Sequence, residues 1–155
     1  GGSFPLEVTF PPFLYSKLSA KSQPCRYLQL LKKHSRRVEK HHGDYDSVGI
    51  HVNVSKGGVR YYDNWRISEV NYFLEERLSL RQQHKYFGRE PYGYGNTDGK
   101  EDVLEWKLFN SVTDYKVLPR YINIAVALTD VVASDVAITQ EVVMTALNLG
   151  YNKPV

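Results

Sequence analysis

With a single cysteine, Cys25, the 155-residue chain has no internal disulfide framework, so packing and hydrogen bonding must hold it together. Cys25 itself reads as a small core residue. Nothing in the sequence resembles a membrane span or the apolar core of a secretion signal, and no membrane association is expected. There is no phosphate-loop motif, zinc-ligand spacing, Ser-His-Asp arrangement or dinucleotide fingerprint. Gly57-Gly58 and the Gly93/Gly95 pair are too sparse to cradle phosphates, and Asp44 and Asp46 lack calcium-loop spacing. A large excess of one charge is missing too. The formal net charge is +3, which does not by itself argue for nucleic acid.

What is present suits one globular domain over residues 1–155. Hydrophobic residues make up 42% and charged residues 24%, too apolar for a disordered chain. The positive charge is concentrated. Lys32, Lys33, Arg36, Arg37 and Lys40 crowd one stretch beside His34, His41 and His42. Such a run reads first as a solvated helix face and second as a phosphate-binding patch. The opening Gly1-Gly2-Ser3, without an initiator Met, reads as a fragment or a proteolytically matured product.

Periodicity divides the chain into strands and helices. Leu6–Phe10 alternates with period two and is stopped by Pro11-Pro12, which cannot donate to a ladder. Ser22 to Lys40 predicts a helix with Pro24 in its first turn. Val48–Ser55 is the clearest strand, with Val48, Ile50, Val52 and Val54 on one face and Gly49, His51, Asn53 and Ser55 on the other. A helix is predicted from Ser68, as N-cap, to Arg81, with Val70, Phe73, Leu74 and Leu78 inward. Gly88 to Lys100, rich in Gly, Tyr and Asn, reads as a long ordered loop. Val103–Phe109 is a strand with Leu104, Trp106 and Leu108 on one face and Val103, Glu105, Lys107 and Phe109 on the other. Two apolar helices follow, over 117–132 and 138–149, the second closed by Gly150. The expected fold is α+β: a mainly antiparallel sheet with one face covered by amphipathic helices.

The three strands share a feature. Opposite each apolar face lie polar groups: Glu7 and Thr9, His51 and Asn53, Glu105 and Lys107. Strand spacing is about 4.8 Å and same-face residues lie about 6.6 Å apart, so adjacent strands would gather two carboxylates, an imidazole and an ammonium on one surface. That scale suits a cation carrying phosphate oxygens. A wet face on an ordinary antiparallel sheet reads the same way. Arg89, at the entrance to the long loop, is either a surface-paired arginine or an anion clamp.

Four segments in order resemble the amidoligase family, carboxylate–amine ligases related in fold to glutamine synthetase. They are Leu6-Glu7-Val8-Thr9-Phe10-Pro11-Pro12, Gly49-Ile50-His51-Val52-Asn53-Val54-Ser55, Phe87-Gly88-Arg89 and Leu104-Glu105-Trp106-Lys107-Leu108-Phe109-Asn110. The resemblance spans about residues 5 to 135. It implies part of a glutamine-synthetase-like catalytic domain and an ATP- and Mg²⁺-dependent step, in which a carboxylate is phosphorylated and an amine displaces the phosphate. By that resemblance Glu7, His51 and Glu105 would bind metal. His51, Asn53 and Arg89 would bind nucleotide or phosphate, and Arg89 and Lys107 would act in catalysis. The chain departs from the family pattern where Asn53 replaces a second histidine and Lys107 replaces an arginine. The family's upstream E-x-E strand is absent, as in the C-terminal portion of a longer chain.

The leading expectation is therefore an ATP-dependent, amide-bond-forming ligase-like domain, degenerate or incomplete, acting on a carboxylate and an amine. The alternative is a non-catalytic structural or assembly protein, for example a processed phage virion component, with a protein partner or a homo-oligomer. A nucleic-acid-binding module ranks last. The expected location is the cytoplasm, that of a host or a virion if phage-encoded.

Overall fold

The computed structural model describes residues 9, 12, 14–15, 26, 49–57, 62–79, 95–97, 100–110 and 117–152. Three strands and three helices lie within them: β1 (Gly49–Val54), α1 (Asn64–Ser79), β2 (Gly95–Asn96), β3 (Leu104–Asn110), α2 (Leu118–Ala133) and α3 (Gln140–Asn152). The expected strand 6–10 and helix 22–40, with Glu7 and Cys25, fall outside the described residues, apart from Thr9 and Arg26. Arg89 falls outside them too.

The sheet is antiparallel, in the order β1-β3-β2, with β3 in the centre. This bears out an α+β architecture. The alternation read from β3 holds through Leu108, which is fully buried with Lys107 less so. Leu104 and Trp106 are fully buried, and Glu105 is only partly so. It then breaks. Ile50 pairs with Phe109 and Val52 with Trp106, so two residues of β3, Lys107 and Leu108, lie opposite one residue of β1, His51. This is a β-bulge. It corrects the expectation that Phe109 shares a face with Glu105. The extra residue turns Phe109 to the core side, where its ring stacks on Tyr121 of α2 with centroids 4.4 Å apart.

Helix α2 is the layer that covers the sheet. Its residues Tyr121, Ile124, Ala125 and Leu128 are fully buried, against both β1 and β3, and its other flank packs on α3. Burial of each large apolar side chain in this core is worth about 1.5–3 kcal/mol. Trp106 reaches through the layer. Its Nε1 donates to Thr129 Oγ1 at 2.9 Å, and Thr129 Oγ1 donates back to the Ala125 carbonyl at 2.8 Å, so a buried indole N–H is satisfied inside the core.

Helix α2 has no basic residue in its own last turn. Arg66 of α1 does that work. It is 6% exposed, and its guanidinium donates to the carbonyls of Val132 (2.9 Å), Val131 (3.0 Å) and Val136 (2.7 Å). A fork of donors thus meets the negative end of the helix, sharing the Val131 carbonyl with Ser134 and reaching Val136 just beyond it. This explains why α1 starts earlier than its sequence suggests. Ser68 is not the N-cap. The first i→i−4 bond runs from Ile67 N–H to Asp63 O, because Arg66 and Ile67 are already needed in the packed interface. At the other end of the chain, Gly150 does not close α3, which continues to Asn152. Its start is capped by Thr139, whose Oγ1 accepts from Val142 N–H at 3.2 Å.

The short β2 was not expected within the 88–100 loop. Two residues carry no periodicity, and the strand is held by its neighbours. Asn71 of α1 donates from Nδ2 to Gly95 O at 2.8 Å and accepts from Gly95 N–H at 2.7 Å, standing in for the next strand of the sheet. Gly95 itself lies on the Trp106 ring, where a Cβ would come within 2.5 Å of Cζ3. Among the described residues, no helix is long and apolar enough to cross a membrane.

Candidate ligand-binding site on the polar sheet face

The central position of β3 decides what gathers on the polar face. Glu105 is paired in register with Asn53 of β1 on one side and Asn96 of β2 on the other. Directly opposed side chains lie about 4.5–5.5 Å apart at Cβ, within reach of one another. The bulge then sets His51 opposite Lys107 and Leu108 and brings its imidazole to the same carboxylate. His51 Nδ1 lies 3.2 Å from Glu105 Oε1, and Lys107 Nζ lies 3.5 Å from Glu105 Oε2. The Glu105 side chain is 13% exposed, against 24% for Lys107 and 46% for His51. A mostly buried carboxylate therefore anchors two cationic or polar groups that still reach solvent.

Of the residues singled out in the sequence, His51, Asn53, Glu105 and Lys107 share this face. Asn53 is exposed beside the trio. Asn96 is the member that sequence reasoning missed. It sits in a Gly/Tyr/Asn-rich stretch with no strand signal, and only its pairing with Glu105 places it here.

Among the described residues, two buried acceptors on this face have no hydrogen-bond donor, Glu105 Oε2 and Asn96 Oδ1. Leaving Asn96 Oδ1 unpaired costs about 1–3 kcal/mol, whereas Glu105 Oε2 has the Lys107 ammonium 3.5 Å away. A divalent cation is one way to satisfy them, and the resemblance implies Mg²⁺. The donor set argues against it. Mg²⁺ needs near-octahedral oxygen ligation. Glu105 is the one described carboxylate on this face, and Lys107 already faces its Oε2. No group of three His, Cys, Asp or Glu side chains suited to a metal occurs among the described residues. The described residues therefore do not fit a resident Mg²⁺. What they do offer is a mostly buried carboxylate flanked by a partly exposed ammonium and a more exposed imidazole.

No protein-family model matches the chain, and searches of curated proteins and of solved structures likewise found no match.

Proposed function

We propose that the chain is an amidoligase-like domain of incomplete activity, whose polar sheet face binds the phosphate of a nucleotide or the carboxylate of a substrate. The observation that carries this reading is the Glu105 carboxylate held between His51 and Lys107. In the ligase reading Lys107 neutralises charge on a phosphoryl oxygen, His51 contacts a second oxygen, and Glu105 positions both. Preorganised charge of this kind supplies much of the catalysis in phosphoryl transfer. A complete ligase would draw its further acidic ligands and its arginine from outside the described residues, Glu7 and Arg89 being the candidates in this chain.

The test is calorimetric titration of ATP, with and without Mg²⁺, into the chain and into Lys107→Met and Glu105→Gln. Saturable binding, weakened about tenfold or more by Lys107→Met, supports the reading. Absence of heat at millimolar nucleotide overturns it.

A second reading has its own support: both Glu105 oxygens already face basic side chains of the same chain. On this view the trio is an ion-pair network of a non-catalytic structural or assembly protein. Glu105→Gln then changes stability alone, and the chain binds no nucleotide.

A further inference from the structure

Strand β2 brings no apolar side chain to the core, since its two residues are Gly95 and Asn96. Gly95 is nevertheless held from two directions. The Asn71 side chain of α1 takes both of its backbone groups, at 2.7 and 2.8 Å. On the sheet side it pairs with Trp106, whose ring fills the space that a Cβ would occupy. That ring cannot give way freely, because its Nε1 is tied to Thr129 inside the core.

Successive side chains of a strand point to opposite faces. With Gly95 set against the Trp106 ring, Asn96 lies on the polar face, in register with Glu105. Asn96 is half-buried, yet its Oδ1 is fully buried and accepts no hydrogen bond. Glu105 Oε2, on the opposed residue, also lacks a hydrogen-bond donor and has only Lys107 Nζ at 3.5 Å. Buried acceptors are as a rule satisfied, so an exception calls for a physical reason. Here the hold on Gly95 sets the backbone from which Asn96 projects and so keeps an open acceptor beside Glu105. Opposed residues lie about 4.5–5.5 Å apart at Cβ, and Lys107 stands about 6.6 Å along β3 from Glu105. An acceptor and an ammonium thus flank one carboxylate at the scale of a single small ligand.

We infer that Asn96 accepts a hydrogen bond from the ligand of this face, and that Asn71, acting through Gly95, positions it. The inference rests on the anion-binding reading above and adds a second feature to the ligand: an N–H or O–H donor a few ångströms from the anion. An amino group beside a carboxylate and a hydroxyl beside a phosphate both have that form. Because Asn96 Oδ1 is closed to water, the donor reaches it through a shift of the two-residue strand, which no apolar side chain of β2 opposes. Turned about, the Asn96 amide would instead donate to Glu105 and be a structural partner only.

Calorimetry with two pairs of probes tests the inference: ATP against tripolyphosphate, and aspartate against succinate. The first of each pair carries a donor that the second lacks. The proteins are the wild type, Asn96→Leu, Asn96→Asp and Asn71→Ala, each checked for folding by circular dichroism. The wild type should prefer the donor-bearing member of at least one pair, and the pair that responds identifies the ligand class. Asn96→Leu should cut that preference about threefold to tenfold, the worth of one hydrogen bond. Asn96→Asp, which accepts but cannot donate, should keep it. Asn71→Ala should lower it, an effect that lost stability alone does not produce, because both probes of a pair meet the same fraction of folded protein. Equal affinities within both pairs overturn the inference and leave anion binding standing, whereas no binding of any probe overturns both. A preference unchanged in Asn96→Leu overturns the contact. A preference lost in Asn96→Asp overturns it too, and means that Asn96 donates to Glu105. A preference unchanged in Asn71→Ala overturns the positioning role.

Discussion

Replacing Arg66 by Met keeps most of the buried stem and removes the fork of donors at the end of α2. Three short hydrogen bonds disappear, to Val132, Val131 and Val136. The Val132 contact is buried, so its carbonyl loses a charged donor without gaining water, at about 1–3 kcal/mol. The other two are part-buried, and water recovers some of their loss, leaving about 0.5–1.5 kcal/mol each. Methionine's apolar tail offsets part of this by filling the space. The net expectation is a loss of about 3 kcal/mol, a large share of the roughly 5–15 kcal/mol by which domains are stable. For a chain of this length that lowers Tm by about 6–12 °C. Urea unfolding, followed by tryptophan fluorescence and far-ultraviolet circular dichroism, measures it. Arg66→Lys separates two causes. Lysine keeps a positive charge near the helix end but cannot reach three divergent carbonyls, so it should recover less than half of the loss. If Arg66→Met costs under about 1 kcal/mol, the fork is not what fixes α1 to α2. If Arg66→Lys is as stable as the wild type, the helix dipole alone is responsible and the hydrogen-bond account is wrong.

Gly95→Ala should destabilise by about 1–3 kcal/mol, because its Cβ would meet the Trp106 ring at 2.5 Å; a changed near-ultraviolet tryptophan signal would accompany the loss. Asn71→Ala leaves both Gly95 backbone groups without their partner and should cost about 1–3 kcal/mol, with faster hydrogen exchange at the Gly95 amide as its specific mark. Thr129→Val preserves shape but strands the buried Trp106 N–H. A loss of about 1–3 kcal/mol is expected in chemical denaturation, and full stability would mean that another acceptor takes the proton.

The parts of the fold legible in the sequence are those where one residue's chemistry repeats. Ile50, Val52 and Val54 alternate with His51 and Asn53, and Leu104 and Trp106 alternate with Glu105, so β1 and most of β3 can be read directly. The apolar density of α2 likewise announces a buried helix. What escapes periodicity is whatever depends on a distant partner. The start of α1 is set by Arg66 reaching the end of α2, a contact 66 residues away for the Val132 bond. Strand β2 exists because Asn71 and Trp106 hold Gly95, and no two-residue segment advertises that. Gly150 carries the sequence signature of a helix stop, yet α3 runs past it to Asn152.

The bulge opposite His51 ties the core to the candidate site. Strict alternation along β3 would put Lys107 and Phe109 on one face, exposing a large aromatic ring beside the carboxylate. One added residue resolves the conflict. Phe109 goes inward to stack on Tyr121, and Lys107 stays with Glu105. His51, facing a doubled step of β3, lies close enough to share the carboxylate. A bulge costs ladder hydrogen bonds, and such irregularities concentrate where a side chain must be re-aimed. Here the same irregularity serves both faces of the sheet. An aromatic stack on one side therefore fixes the spacing of the Glu105 contacts on the other, and neither arrangement could be slid along the strand without losing its counterpart.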